Sequence, residues 1–131
     1  MTPLPITVTD EELIQFIDHW AELLEQEDYE AAFNFTDHHD NDGWDAESMR
    51  DAIKRQDAAD PNRHVTLKGS PTHRAQDKEV DRFPEGNAHG YMGEIWYDLN
   101  INGQVSDLTA TFSLHQTAEG IIVKLMDIHV H

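Results

Sequence analysis

The chain ends on Asp127-Ile128-His129-Val130-His131, two histidines two apart with an aspartate two before them. Imidazole and carboxylate at this spacing are groups that bind a divalent metal or pass a proton. Residues two apart in a strand share a face, so Asp127, His129 and His131 project the same way. Turned to solvent, they are a polar fringe or part of a binding surface. Turned to the core, they are buried polar groups that need partners and could work in a pocket.

The neighbouring elements decide between these outcomes. Ile95, Tyr97, Leu99 and Ile101 alternate with Glu94, Trp96, Asp98 and Asn100, and Leu108, Ala110, Phe112 and Leu114 alternate next. Asn102-Gly103 between them is a strong hairpin signal, because a type I′ turn needs positive φ at both positions. A two-residue loop pairs Ile101 with Gln104. Counting back sets Trp96 against Thr109, Tyr97 against Leu108 and Asp98 directly against Asp107. Like charges directly opposite are destabilising. That pair calls for a cation, a basic neighbour or a shared proton.

Thr117-Ala118-Glu119-Gly120 makes the second turn. If Ala118-Glu119-Gly120 is a three-residue loop with Gly120 left-handed, Ile122, Met126, Ile128 and Val130 join the apolar face. Asp127, His129 and His131 then join Glu94, Trp96, Asp98, Asp107, Thr109 and Thr111 on the polar face. In that register His129 lies beside Thr109 and His131 beside Asp107. A loop of two or four residues swaps every side chain. The first register is preferred for its cleaner alternation, although it turns Lys124 inward.

Each arrangement carries its own chemistry. On the polar face, Asp98, Asp107, His129 and His131 are candidates for a zinc, manganese or nickel site. The histidines would have to lean across ~6.5–7 Å to share one ion. An H-x-H pair without two further fixed ligands is weak evidence, so no metal or other cofactor is expected. In the swapped register, Tyr97 as proton donor with Asp127 and His129 as an acid–base pair would suit a pocket enzyme or small-ligand binder. No G-x-S-x-G, H-E-x-x-H or phosphate-loop motif supports catalysis. Trp44 and Trp96 are the candidate exposed aromatics, and an aromatic amid polar residues on a sheet face often anchors an interface. The run DHHDNDGWD, residues 37 to 45, looks like a calcium loop, but aligning Gly43 puts Met49 where the bidentate glutamate belongs. Asp40 and Asp42 could hold a cation only loosely, and a helix–helix connection is the plainer reading.

The upstream elements are helical. Thr9 to Glu12 fits a capping box, and Leu13, Phe16, Ile17, Trp20, Leu23 and Leu24 recur at helical spacing from about 10 to 26. Asp28 can cap a short helix with Tyr29, Ala32 and Phe33 inward. Asp45 can cap another over about 46–57 with Met49, Ala52 and Ile53 inward. Val65 and Leu67 suggest a short strand. Residues 69–90 read as a long polar connection, a lid, a binding loop or a mobile segment. Helices over about 10–57 followed by a sheet over 91–131 give one α+β domain across 1–131. Its helices, one of them long, pack on one face of a curved antiparallel sheet with a C-terminal three-strand meander.

Bulk composition narrows the partners. The 131 residues hold 26 acids, nine Lys and Arg and no cysteine, for a net charge of −17. Residues 10–60 concentrate the excess, with 17 acids against three bases, a balance of −14. Such a surface repels phosphate, so nucleic acid and anionic membrane are excluded as expected partners. Disulfides, thiolate metal sites and cysteine nucleophiles are absent. With no signal-like N-terminus and no long apolar run, a soluble cytoplasmic protein is expected.

Two resemblances sharpen the picture. Gly93, Glu94, Asp98, Asn102, Gly103, Ser106 to Ala110 and Asp127 to Val130 resemble the C-terminal signature G-E-x-x-x-D-x-x-x-N-G-x-x-S-D-L-T-A, then D-I-H-V, of an uncharacterised bacterial domain family. The stretch FIDHWAELLEQEDYEAAFNFTDHH is similar to the opening of nuclear transport factor 2-like, cystatin-like domains. That resemblance implies a cone-shaped α+β fold whose members include enzymes, binding modules and dimerising adaptors, so it does not choose among functions. The expectation is a non-enzymatic module holding a protein partner, with Trp96, Asp98, Asp107, Thr109, His129 and His131 as binding residues. A homodimer through the sheet is one form of it. An immunity-type protein that neutralises a basic toxin is another. The alternative is the pocket enzyme or small-ligand binder.

Overall fold

The computed structural model describes residues 1–38, 44–55, 60, 62–83 and 90–130. Helix α1 spans Asp10–Glu25 and opens on the expected capping box, with the Glu12 amide donating to Thr9 Oγ1 at 3.1 Å and the Thr9 amide to Glu12 Oε1 at 3.0 Å. Its buried stripe is Leu13, Ile17, Trp20, Ala21 and Leu24. Helix α2, Tyr29–Phe35, and helix α3, Ala46–Lys54, start at Asp28 and Asp45, each accepting an amide hydrogen bond from three residues on. The third helix ends at Lys54 with Arg55 as its C-cap, and residues 56–57 of the expected span lie outside the described residues.

Among the described residues the sheet has six strands: β1 (Asp37–His38), β2 (Val65–Thr66), β3 (Lys78–Arg82), β4 (Tyr91–Ile101), β5 (Gln104–Thr117) and β6 (Gly120–Val130). The order is β1-β6-β5-β4-β2, with β3 also on β4. The β4-β5-β6 meander is the expected one. The sheet is nonetheless mixed, because β1 pairs with β6 in parallel. It curls around α1, and Ile95, Tyr97, Leu99, Leu108, Phe112, Leu114, Val123 and Leu125 pack there against the helix stripe. Trp20 meets Phe112 edge to face at 5.0 Å.

Strand β3 lies inside the expected polar connection. Its inward residues are Lys78, Val80 and Arg82, so two cations occupy positions where a period-two search looks for apolar residues. The inward ends of both cations are satisfied, Lys78 by Asp18 and Arg82 by Asp10. The segment before β3 is stitched down: Ser70 bonds to Gly103 and Val105, Thr72 to Val105, and Asp77 to Asp98.

Asn102 and Gly103 adopt positive φ, 53° and 81°, and Ile101 pairs with Gln104 as expected. The expected count then breaks. One residue of β4, Leu99, lies opposite three of β5, Ser106 to Leu108, between the pairs Asn100–Val105 and Asp98–Thr109. Two extra residues preserve the faces but shift the partners, so Trp96 sits against Thr111 and Tyr97 against Ala110.

The second turn holds two residues, with Thr117 paired to Gly120. Gly120 therefore begins β6, where the Leu4 carbonyl packs so closely that any Cβ would collide with it. Ile121, Val123 and Leu125 face the core instead of Ile122, and Lys124 escapes it. A one-residue bulge at Met126 then reverses the parity, and Asp127 pairs with Thr111 and His129 with Thr109. The two-residue-loop register holds from Gly120 to Leu125, and the preferred one from Asp127 to Val130. Trp44 caps the bulge by donating its indole N–H to the Met126 carbonyl at 3.1 Å, so it is an anchor and not an exposed aromatic. Trp44→Phe should cost about 1 kcal/mol in urea unfolding and speed amide exchange at Asp127 and Ile128.

Candidate functional site

The face of the sheet away from α1 carries most of the expected binding residues. Its floor is Thr109, Thr111 and Ser113 of β5, all buried although they point away from the core. Larger side chains on the flanking strands wall them in. Trp96 stands on the β4 side, 41% exposed. Its indole N–H donates to Glu94 Oε2 at 3.2 Å, and its ring meets the His129 ring edge to face with centroids 6.1 Å apart. On the β6 side, His129 Nδ1 lies 3.3 Å from Asp127 Oδ2. Trp96 and His129 thus meet across the central strand, Trp96 held by the Glu94 carboxylate and His129 within ion-pair distance of Asp127.

At one end of this face, the extra β5 residues separate Asp98 from Asp107. Asp98 is opposite Thr109, whose hydroxyl donates to it at 2.9 Å. Asp107 is splayed outward, half-exposed, beside His73. Arg74 bridges the two, 3.2 Å from Asp98 and 3.7 Å from Asp107. The question raised by two aspartates in register is answered twice. The bulge removes the direct opposition, and a basic neighbour supplies the charge. Arg74 and His73 were missed because the path of the polar segment over the sheet could not be read from its composition. The signal for them was the pair of acids that demanded a cation.

At the other end, the Tyr91 hydroxyl donates to Glu94 and its ring lies against His115. Burial and the Glu94 carboxylate push the Tyr91 phenol up to about 12. His115 shares a hydrogen bond with Ser113 at 2.9 Å.

The pocket trio does not assemble. Tyr97 points to the helix side, where its hydroxyl donates to Asp18 Oδ1 at 2.6 Å and Lys78 Nζ reaches the same oxygen at 2.9 Å. Asp127 and His129 are on the opposite face. The space between sheet and helix is filled by Trp20, Tyr97, Phe112 and Leu99, all fully buried. The metal set is also dispersed. Asp98 and His129 flank Thr109 from strands on either side, roughly 10 Å apart in backbone spacing. Among the described residues, no three His, Asp or Glu side chains converge as a metal site would need. His131, Asp40 and Asp42 lie outside the described residues. No helix among the described residues is long and apolar enough to cross a membrane.

No curated protein and no solved structure matches the chain. A family model described as a domain of unknown function (DUF7668) matches residues 21–131, which include all six strands and every described residue of the outer face, and the chain belongs to that family.

Proposed function

We propose that this domain is a non-enzymatic binding module that holds a protein partner on the outer face of its sheet, with Trp96 at the centre of the contact. The observation that carries this reading is the exposed, oriented indole over a floor of small buried hydroxyl residues. Trp96 offers a large apolar area whose rotamer Glu94 and His129 already restrain, so little side-chain entropy is lost on docking. Tryptophan is one of the residue types enriched in hot spots. A curled sheet around a long helix also fits the nuclear transport factor 2-like resemblance, a group that includes binding modules. The pocket alternative would have to rest on Tyr97 without Asp127 and His129.

The test is site-specific crosslinking in cells that make the protein. Benzoylphenylalanine at exposed Asp127, on the same face beside Thr111, should give one discrete protein adduct on irradiation, and Trp96→Ala added to that variant should abolish it. The same group at exposed Glu119, on the β5–β6 turn, should not. A smear at both positions, no adduct at 127, or an adduct that survives Trp96→Ala would sink the reading.

A further inference from the structure

We infer that the Trp96 end of this face receives a cationic side chain, a guanidinium or ammonium group on a basic segment of the partner. This rests on the docking reading and adds the chemistry of the contact. Strand β3 reads Lys78-Glu79-Val80-Asp81-Arg82, and its alternation sorts charge by sign. Lys78 and Arg82 turn to the helix side, where Asp18, Asp10 and the Val8 carbonyl take them up. Glu79 and Asp81 turn outward and are exposed. Glu79 lies opposite Trp96, and Asp81 lies directly opposite Glu94.

Two carboxylates in direct register repel. At the Asp98 end, the extra β5 residues separate the two carboxylates and Arg74 bridges them. Here no cation among the described residues does so. All nine Lys and Arg of the chain are among the described residues, and none forms an ion pair with Glu79, Asp81 or Glu94. Lys124, the outer-face lysine of β6, sits two strands away across Ser113. The result is an exposed indole rimmed by three acids without a lysine or arginine partner. A cation seated there gains the attraction of the ring face and relieves the carboxylate repulsion together. Guanidinium suits it best, being planar, weakly hydrated and able to bond a carboxylate while stacking on an aromatic ring. A second copy of the chain suits it poorly. A two-fold contact centred on Trp96 would bring acids against acids, between copies that each carry −17.

The experiment titrates the isotopically labelled full chain with capped tetra-arginine at low salt and follows the indole N–H resonances. The Trp96 signal should shift saturably while those of Trp20 and Trp44 hold still. Glu79→Gln with Asp81→Asn should weaken binding about tenfold. Glu11→Gln with Glu119→Gln, the same change of net charge at exposed sites elsewhere, should weaken it less than about twofold. Equal weakening by both pairs would mean general attraction to an acidic protein and would overturn the inference, as would an unmoved Trp96 signal. Concentration-dependent sedimentation abolished by Trp96→Ala would assign the face to a second copy and overturn it too. If position 127 crosslinks to a partner in a Trp96-dependent way while tetra-arginine leaves Trp96 unmoved, the docking reading stands and the cationic contact falls.

Discussion

Asp98→Ala should lower the stability of the domain by about 3 kcal/mol and its thermal midpoint by about 10 °C. Asp98 is 3% exposed, and its carboxylate accepts from the Thr109 hydroxyl at 2.9 Å, the Asp77 amide at 2.9 Å and Arg74 at 3.2 Å. Removing it strands a buried hydroxyl and an amide, and takes from the Arg74 guanidinium its buried carboxylate while leaving it the Ser106 carbonyl. Breaking a buried pair from one side typically costs about 3–5 kcal/mol. The low end applies because the Arg74 side chain is 27% exposed and keeps Asp107. Asp107→Ala removes a half-exposed carboxylate and should cost less than about 1 kcal/mol. Hydrogen exchange should localise the Asp98 effect to residues 70–77 and the start of β3. If the two alanine variants lost the same stability within about 0.5 kcal/mol, the buried carboxylate would not be what fastens this segment.

That fastening was outside the reach of sequence periodicity, and the reason is specific. Thr9, Asp28 and Asp45 announced the three helix starts because capping is local chemistry. Asn102-Gly103 announced its turn for the same reason. Non-local choices were less visible. Val105 to Thr109 is an ordinary strand sequence, and nothing in it declares two extra residues opposite Leu99. Lys124 signalled trouble with the preferred register of β6. The solution, a parity change at Met126 under the Trp44 indole, depends on a contact 82 residues apart in sequence. His129 lies beside Thr109 as expected, while Trp96 and Asp98 meet other partners, since the bulges leave Trp96, Asp98, Thr109, Asp127 and His129 on one side. Glu79, Asp81 and Tyr91 were not anticipated in it. β3 hides its strand character behind inward lysine and arginine, and the extra residue Met92 sets which way Tyr91 turns.

On the helix side, the prediction is loss of stability at alkaline pH, dominated by Tyr97. The phenol is 1% exposed and donates to Asp18, whose carboxylate also holds Lys78. Burial first, then the hydrogen bond to Asp18 and the negative charges of Asp18 and Glu22, raise its pKa well above the ordinary 10.0. Burial and Glu27 push Tyr29 up to about 12, the same direction as Tyr91. Unfolded tyrosines release their protons near pH 10, so above that pH the native state holds more protons than the unfolded one. The stabilisation is therefore fully present below pH 10 and is lost as pH rises toward the raised native values. Tyr97 alone should contribute a slope of about 1.4 kcal/mol per pH unit, or about 2–3 kcal/mol by pH 12. Urea unfolding between pH 9 and 12, with tyrosinate absorbance followed in parallel, should show ionisation of Tyr97 only as the chain unfolds. Tyr97→Phe should be less stable at neutral pH by about 1–2 kcal/mol, because Asp18 loses a donor, yet should fall less steeply with pH. Parallel alkaline slopes for the two proteins would mean that the Tyr97 phenol ionises freely in the folded state, and that Asp18 is held to the sheet by Lys78 alone.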